Sequence, residues 1–282
     1  MGENKTVKEI AIIGESISHS QSPAMMNAAF EKLGLDYHYS ILNVAPKDFK
    51  DVLYSLPGKN YAGLTVTIPY KIEIMQYMDE IDPLAQLIGA VNTVKFENGK
   101  MIGYNTDGAG FVAGIEQDFG VSIPDSTFFI IGAGGVSRAI TTAIAMKKPK
   151  RIFLESLYFE DAQALAERIN TKVHDCCVPL HMEDDFKPYI DQANVVINAS
   201  FIGMPPHENE TPIDVSLLRK DLLVADVIYN PLKTKFLQAA EQLGCRFLNG
   251  QYQLFHQGKI AFNIWTGEEA PGDVMRPAVF GK

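Results

Sequence analysis

The chain has few cysteines. Its 282 residues include three, of which Cys176 and Cys177 are adjacent and Cys245 stands alone. No two of them have the CxxC spacing typical of a metal site, so we predict no bound metal. Such cysteine usage is typical of a reducing cytoplasm, where we expect the protein to reside.

The chain also lacks a long hydrophobic run near its start. Before Gly14, the four residues at 10–13 form the longest apolar run. A signal-peptide core needs about 7 to 15 apolar residues, and a membrane span needs about 20. We therefore expect neither export nor a membrane partner.

Positive charge is not in excess. The sequence has 25 lysines and arginines against 34 aspartates and glutamates, a formal net charge of -9. The longest basic run, KKPKR at 147–151, lies between a predicted helix and a predicted strand and is interpreted as a solvated loop. Without a basic surface, nucleic acid is excluded as a partner. Since no unexplained apolar stripe indicates a subunit interface, monomer and homodimer are both open.

Strands and helices alternate along the chain, which predicts an α/β fold with mostly parallel sheets. At ~150 residues per domain, the length predicts about two domains. The second has the order of a Rossmann-type doubly wound sheet. The first gains an antiparallel edge at the hairpin signal Asn98-Gly99. Predicted strands are 9–13, 37–44, 62–67, 90–96 and 101–104 in the first domain, and 127–131, 151–155, 195–198, 223–226 and 246–248 in the second.

Helix signals occupy most of the intervals between these strands. Ser22 is a suitable N-cap, with Pro23 at the first helical position and Gly34 as the stop. Further helices are predicted from Pro46 and over 71–78, 83–88, 108–119, 160–169, 234–243 and 251–265.

A glycine-rich loop follows the buried strand at 127–131. In GAGGVSRA (132–139), Gly132 permits a tight turn, while Gly134 and Gly135 let the backbone approach a pyrophosphate at a helix N-terminus. We therefore predict a dinucleotide site formed by Gly132, Ala133, Gly134, Gly135 and Val136.

Glu155 ends the strand that follows this loop. A carboxylate there accepts hydrogen bonds from ribose hydroxyls and repels a 2′-phosphate, so we predict NAD as the cofactor and NADP as the second choice. Arg151 lies at the other end of the strand, about 13 Å away at ~3.3 Å per residue. The alternative is that Glu155 ends the strand in solvent.

Three polar segments of the first half each have two interpretations. Lys71, after Pro69, is either a solvated charge at a helix start or an acid/base group. Asp107, in NTDG, is either an N-cap or a functional carboxylate. The hydroxyls of SISHSQSP (16–23) suit a carboxylate ligand, and capping explains Ser22 alone; His19 is interpreted as a hydrogen-bonded loop residue.

Eight strings together resemble the shikimate dehydrogenase family, including its quinate/shikimate branch. The resemblance runs from Ile10 to Gly267 and implies a first domain that binds the cyclohexene acid, a second that binds the nicotinamide cofactor, and an active site in the cleft between them. The strings are GESISHSQSP, GLTVTIPYK, AVNT, GYNTDG, GAGGVSRA, NASFIGM, DVIYNP and QYQLFHQGKIAFNIWTG.

The resemblance also implies roles for individual residues. Lys71 and Asp107 become the catalytic pair for hydride transfer between the cofactor and shikimate or quinate. The substrate-binding domain is expected over 1–107, joined by the C-terminal helix 251–282, and the NAD(P)-binding domain over 108–250. Ser20 and Ser22 are implied for the carboxylate, Asn92, Asp107 and Gln257 for the ring hydroxyls, Thr67 and Tyr229 for the pocket wall, and Ser200 and Gly250 for the cofactor.

The chain departs from the family pattern at three places. Thr65 replaces an asparagine, Met26 replaces a histidine, and residues 155–157 read ESL where many members have an NRT-like string whose arginine serves NADP. The last departure favours NAD. Two other functions stay open: a folate dehydrogenase of related fold, and a cofactor-sensing module without turnover.

Overall fold

A computed structural model describes residues 7–281. They form two compact units, one of residues 7–106 and 254–281 and the other of residues 107–253. The sequence placed these boundaries after residues 107 and 250. Residues 1–6 and 282, which the predicted first domain includes, lie outside the described residues.

The first unit opens with alternating strands and helices. Its sheet has the strand order β2-β1-β3-β5-β6-β4. β1 runs parallel to β2 and β3, whereas β3, β5 and β6 pair antiparallel. The strands are β1 (Lys8–Gly14), β2 (Tyr37–Asn43), β3 (Tyr61–Val66), β4 (Glu80–Ile81), β5 (Thr93–Glu97) and β6 (Lys100–Tyr104); the helices are α1 (Ser22–Leu33), α2 (Phe49–Ser55) and α3 (Pro83–Ile88).

The predicted hairpin is confirmed between β5 and β6. Asn98 and Gly99 have φ angles of 53° and 76°, the left-handed pair that a two-residue turn requires. At the start of α1, Ser22 is the first helical residue and Gln21 takes the N-cap position, so the prediction of a Ser22 cap is wrong. Gly34 ends this helix in the left-handed conformation, as predicted.

The predicted helix over 71–78 is wrong. A short 3₁₀ helix, Glu73–Tyr77, occupies part of this segment, and Lys71 lies in the turn before it. The Lys71 carbonyl accepts a 2.7 Å hydrogen bond from the Val91 amide, so it is not available for an α-helical bond. Tyr70 is buried and stacks on Phe49 at 3.9 Å between ring centroids, which anchors the turn.

The second unit has an all-parallel sheet in the order β12-β11-β10-β7-β8-β9. The order reverses between β7 and β10, the switch point where this fold binds ligands at the carboxyl edge. The Rossmann-type prediction is confirmed. Its strands are β7 (Thr127–Ile131), β8 (Arg151–Glu155), β9 (Cys177–Leu180), β10 (Val195–Asn198), β11 (Leu223–Asp226) and β12 (Arg246–Leu248); its helices are α4 (Asp107–Ala113), α5 (Gly135–Met146), α6 (Phe159–Lys172), α7 (Lys187–Ile190) and α8 (Lys235–Leu243).

The C-terminal segment forms α9 (Gly250–Thr266) and α10 (Gly272–Phe280). In the first unit, the Trp265 indole nitrogen donates a 2.9 Å hydrogen bond to the Val94 carbonyl. A Cβ on Gly63 would lie 2.4 Å from both groups, so only a glycine admits this contact. Among residues 7–281, no helix is both long enough and apolar enough to cross a membrane.

Candidate functional site

The carboxyl ends of β1 and β3 carry two of the predicted substrate-binding segments. The Thr67 amide donates a 3.0 Å hydrogen bond to the Ile13 carbonyl, which extends the pairing of the two strands by one residue. A Cβ on Gly14 would lie 2.5 Å from the Thr67 methyl group. Thr67 is therefore adjacent, at this edge of the sheet, to the start of the SISHSQSP segment (16–23), which we call the serine loop.

The serine loop is held in place by Asn43, the last residue of β2. The Asn43 side chain accepts a 2.8 Å hydrogen bond from the Ile17 amide and donates one of 2.8 Å to the Ser18 hydroxyl. Ser20 Oγ accepts from the Ser22 amide at 3.3 Å, and Ser22 is buried. The two predicted carboxylate-binding serines thus lie together in a loop with a fixed backbone.

Lys71 is tied to the segment that carries Asn92. The Val91 amide donates to the Lys71 carbonyl, and the Val66 amide donates a 2.7 Å hydrogen bond to the Asn92 carbonyl. The end of β3, the Lys71 turn and the residues before β5 therefore meet within the first unit. Two predicted site residues, Lys71 and Asn92, are brought to the same end of the sheet.

Asn92, Thr106 and Gln257 form a buried hydrogen-bonded cluster, which we call the amide cluster. Asn92 Nδ2 donates to Thr106 Oγ1 at 2.9 Å and to Gln257 Oε1 at 3.4 Å, and the Thr106 hydroxyl donates to Gln257 Oε1 at 3.1 Å. The Thr106 amide donates to Asn92 Oδ1 at 2.8 Å. Because Gln257 Oε1 accepts twice, its Nε2 end is the one that remains for further contacts besides its 3.0 Å bond to the Leu254 carbonyl.

The glycine loop of the second unit has the geometry of an anion site. Gly132 has a φ of +103°, and its amide donates a 2.7 Å hydrogen bond to the Glu155 carbonyl. In the described part of the chain, no side chain caps α5 and no acidic residue occupies its first turn. A Cβ on Gly134 would meet none of the described atoms within 4 Å. Uncapped amides beside this open space fit a pyrophosphate.

Glu155 is 4% exposed at the carboxyl end of β8. The alternative that it ends the strand in solvent is therefore wrong. Burial raises the pKa of its carboxyl to about 7 because the charged form loses solvation. A partner that donates hydrogen bonds to Glu155, such as a ribose hydroxyl, would stabilise the ionised form.

Asp226, at the end of β11, is a fully buried carboxylate that sequence reasoning did not single out. It accepts hydrogen bonds from Asn198 Nδ2 at 3.2 Å, from the Ile228 amide at 3.0 Å and from the Thr234 hydroxyl at 2.7 Å. Burial raises its pKa to about 7, against the opposing effect of these three donors. Asn198 Oδ1 in turn accepts from the Ser200 hydroxyl at 2.7 Å. Asp226 therefore connects the loops after β10 and β11.

These two loops hold two predicted residues, Ser200 and Tyr229, and a third, Gly250 at the start of α9, packs against the second loop. Ser200 follows β10, and a Cβ on Gly132 would lie 2.9 Å from the carbonyl of the neighbouring Ala199, so this loop touches the glycine loop. Tyr229 is half-buried in the loop after β11. A Cβ on Gly250 would lie 2.1 Å from the Val227 carbonyl, so packing by itself requires glycine there.

Asp107 is the first residue of α4 and is 5% exposed. The Gln253 side chain donates a 3.3 Å hydrogen bond from Nε2 to Asp107 Oδ1. The next residue, Gly108, packs so closely on α5 that a Cβ there would lie 2.2 Å from the Ala139 carbonyl. Asp107 is thus fixed next to α5, the helix that begins in the glycine loop.

Comparisons with known proteins show the family of this chain. Residues 12–94 match a model of the shikimate dehydrogenase substrate binding domain, and residues 254–280 match one of the shikimate 5′-dehydrogenase C-terminal domain. Shikimate dehydrogenase (NADP(+)) of Methanocaldococcus jannaschii is 42% identical over 280 residues, which cover 99% of this chain and 98% of that protein. This chain belongs to the shikimate dehydrogenase family.

Two solved structures of related proteins are similar over nearly their whole length. Shikimate 5-dehydrogenase from Listeria monocytogenes, in complex with shikimate and NAD, is 36% identical with a TM-score of 0.88, and the match covers 99% of each chain. Quinate dehydrogenase from Corynebacterium glutamicum, in complex with NAD, is 33% identical with a TM-score of 0.88, covering 99% of this chain and 100% of that one.

In this member of the shikimate dehydrogenase family, the predicted site residues are divided between the units. Sequence reasoning missed Thr106 and Asn43, although the string NTDG includes the first. It also missed Asp226, Asn198 and Gln253, which form the hydrogen bonds Asn198–Asp226 and Gln253–Asp107 across 28 and 146 positions of sequence. Ser20, Ser22, Thr67, Lys71, Asn92 and Gln257 belong to the first unit; Asp107, Gly132, Ala133, Gly134, Gly135, Val136, Glu155, Ser200, Tyr229 and Gly250 belong to the second.

Proposed function

We propose that this protein catalyses reversible hydride transfer between a nicotinamide cofactor and shikimate, with 3-dehydroshikimate as the oxidised partner. The Methanocaldococcus jannaschii relative carries this activity in its name, and the Listeria relative was solved with shikimate and NAD. The observation that carries the proposal is the amide cluster. Its amides are buried and held by Thr106, so they meet ring hydroxyls in a fixed orientation.

The first unit binds the acid and the second binds the cofactor in this proposal. Ser20 and Ser22 hold the carboxylate through a loop whose backbone Asn43 fixes. Asn92, Asp107 and Gln257 contact the ring hydroxyls, and Thr67 and Tyr229 line the pocket. The glycine loop, Ser200 and Gly250 hold the cofactor, whose pyrophosphate is bound by the first amides of α5.

Lys71 and Asp107 are the proposed catalytic pair. Lys71 Nζ takes the proton of the hydroxyl whose carbon is oxidised and returns it in the reverse direction. Asp107 accepts a hydrogen bond from that hydroxyl and so orients its proton. When bound, the nicotinamide ring accepts or supplies the hydride.

NAD is the proposed preferred cofactor. Glu155 is buried at the end of β8, where an ionised carboxylate favours ribose hydroxyls over a 2′-phosphate. The name of the Methanocaldococcus jannaschii relative specifies NADP(+), and this favours NADP, the second choice of cofactor. A cation near the loop would serve NADP: Arg138 Nε donates to the Ala133 carbonyl at 3.1 Å, but its guanidinium also lies 3.7 Å from Asp161, which partly offsets its charge.

Quinate is a second candidate substrate. The Corynebacterium relative is named a quinate dehydrogenase, and its match covers 99% of this chain. Quinate differs from shikimate by a saturated ring bond and one hydroxyl, so the same carboxylate and hydroxyl contacts are available to both acids.

The test is a matrix of initial rates, measured by absorbance at 340 nm, of shikimate and quinate each with NAD and NADP. We expect the highest kcat/KM with shikimate and NAD. At least tenfold preference for NADP would reject the cofactor assignment, and higher kcat/KM with quinate would reassign the substrate. Absence of reduction in all four reactions by a folded protein would overturn the proposed function.

A further inference from the structure

Gln253 is a buried side chain that makes a specific contact with the proposed catalytic carboxylate. It lies in the first turn of α9 and is 7% exposed, while Asp107 is 5% exposed. Gln253 Nε2 donates to Asp107 Oδ1 at 3.3 Å. The two residues are 146 positions apart in sequence and both belong to the second unit.

The chemistry of the donor determines what this contact can do. An aspartate side chain rotates broadly about its last torsion, so a carboxylate without a directional donor samples many orientations. An amide donor engages one oxygen and leaves the formal charge in place, because a glutamine carries none. With Oδ1 engaged by Gln253, the plane of the carboxylate is restrained and Oδ2 is directed to a second partner.

The backbone beneath Asp107 is restrained as well. Gly108 fits against the Ala139 carbonyl of α5 without room for a Cβ. The main chain of Asp107 is therefore fixed by helix packing. The hydrogen bond from Gln253 restrains the torsion of its side chain.

We infer that Gln253 is a positioning residue for the hydride-transfer reaction, which it serves by orienting the Asp107 carboxylate toward the substrate hydroxyl. The inference rests on the proposed function of this protein. Gln253 acts through Asp107, so its loss changes turnover more than it changes the binding of either ligand.

The primary test is a double-mutant cycle with Gln253→Leu and Asp107→Asn. Leucine keeps most of the side-chain volume and removes the donor. We expect Gln253→Leu to lower kcat about tenfold, the scale of a hydrogen bond to a charged group, with KM for shikimate and for the cofactor within about threefold. In the Asp107→Asn background the same substitution should change kcat by less than about threefold.

A second variant keeps the shape of Gln253 and makes the donor dependent on pH. In Gln253→Glu, the protonated carboxyl can donate to Asp107 whereas the ionised form repels it. Burial beside the Asp107 carboxylate raises the pKa of the introduced carboxyl above its ordinary value of ~4, so the ratio of variant to parent kcat should fall as pH rises from about 5 to 8. Gln238→Leu is the matched control, since Gln238 on α8 donates similarly, to the Lys233 carbonyl, and we expect unchanged kcat.

Three outcomes would overturn the inference. One is parent-like kcat in Gln253→Leu, another is an equal loss in both Asp107 backgrounds, and the third is a ratio for Gln253→Glu that does not change with pH. If Gln253→Leu does not fold, the Gln253→Glu profile decides. An inactive parent enzyme in all four substrate and cofactor combinations would instead indicate that the proposed function is wrong.

Discussion

The Thr234 hydroxyl donates a 2.7 Å hydrogen bond to Asp226 Oδ2, deep within the second unit. Asp226 is 0% exposed, and Thr234 also caps α8 by accepting from the Leu237 amide at 3.3 Å. One threonine thus links a helix start to a buried carboxyl. Since burial raises the pKa of Asp226 to about 7, this site makes stability depend on pH.

Asp226→Asn should remove part of that dependence. A carboxyl whose pKa is raised on folding binds more protons in the folded state, so the stability it contributes is lost as pH rises from about 4 to 7. The slope is at most about 1.4 kcal/mol per pH unit for one group. Denaturant unfolding at pH 5 and pH 7.5 should show a smaller loss of stability for the variant than for the parent. Equal losses would contradict the assignment.

Lys71→Ala should lower kcat by ~10² or more, because a positioned acid/base group contributes on that scale. KM for shikimate should change less. Lys100→Ala is the control, since Lys100 is exposed on the hairpin and paired with Glu80, and its kcat should equal that of the parent. Turnover of Lys71→Ala within threefold of the parent would reject the catalytic role.

Thr106→Val should raise KM for shikimate roughly tenfold, because the loss of one hydroxyl leaves both amides of the amide cluster without a shared partner. Thr106→Ser keeps the hydroxyl and should restore most of the affinity. The readout is steady-state kinetics at saturating cofactor. If KM for shikimate in the valine variant equals that of the parent, the amides hold their orientation without the Thr106 hydroxyl.

Glu155 should make cofactor selectivity depend on pH. The pKa of its carboxyl is about 7, so the ionised form, which repels a 2′-phosphate, grows between about pH 6 and 8. The ratio of kcat/KM for NAD to that for NADP should therefore rise over this range. Glu155→Gln should flatten the rise attributable to this group. If parent and variant show the same profile, Glu155 does not contact the ribose.

Gly63→Ala should destabilise the first unit by about 1–3 kcal/mol, the usual range for overpacking. The added Cβ would lie 2.4 Å from the Trp265 indole nitrogen and from the Val94 carbonyl. Gly58→Ala is the matched control, because its Cβ would meet none of the described atoms within 4 Å. Thermal unfolding of both variants checks this prediction. A similar Tm for the two would show that Trp265 and Val94 move to admit the added Cβ without a loss of stability.

Local patterns predicted many elements of the second unit well. Five strands (β7, β8, β10, β11 and β12) begin and end where the sequence placed them. All but β12 are largely buried, and such strands appear as short apolar runs between turns. β9 was missed, since its four residues include Pro179 and it lies at the edge of the sheet. The sequence also placed Lys71 on a helix. This prediction failed because the Lys71 carbonyl accepts a hydrogen bond from Val91, which belongs to another segment.

The sequence by itself determined the family, the α/β class, the glycine loop and the identity of the candidate acid/base groups. Each of these depends on residues that are contiguous or follow a local period. Only the tertiary structure decided that Glu155 and Asp226 are buried, that Thr106 holds two amides, and that Gln253 donates to Asp107. Burial and hydrogen bonding across long separations arise when distant segments pack together, and no local spacing in the chain specifies which side chains then meet.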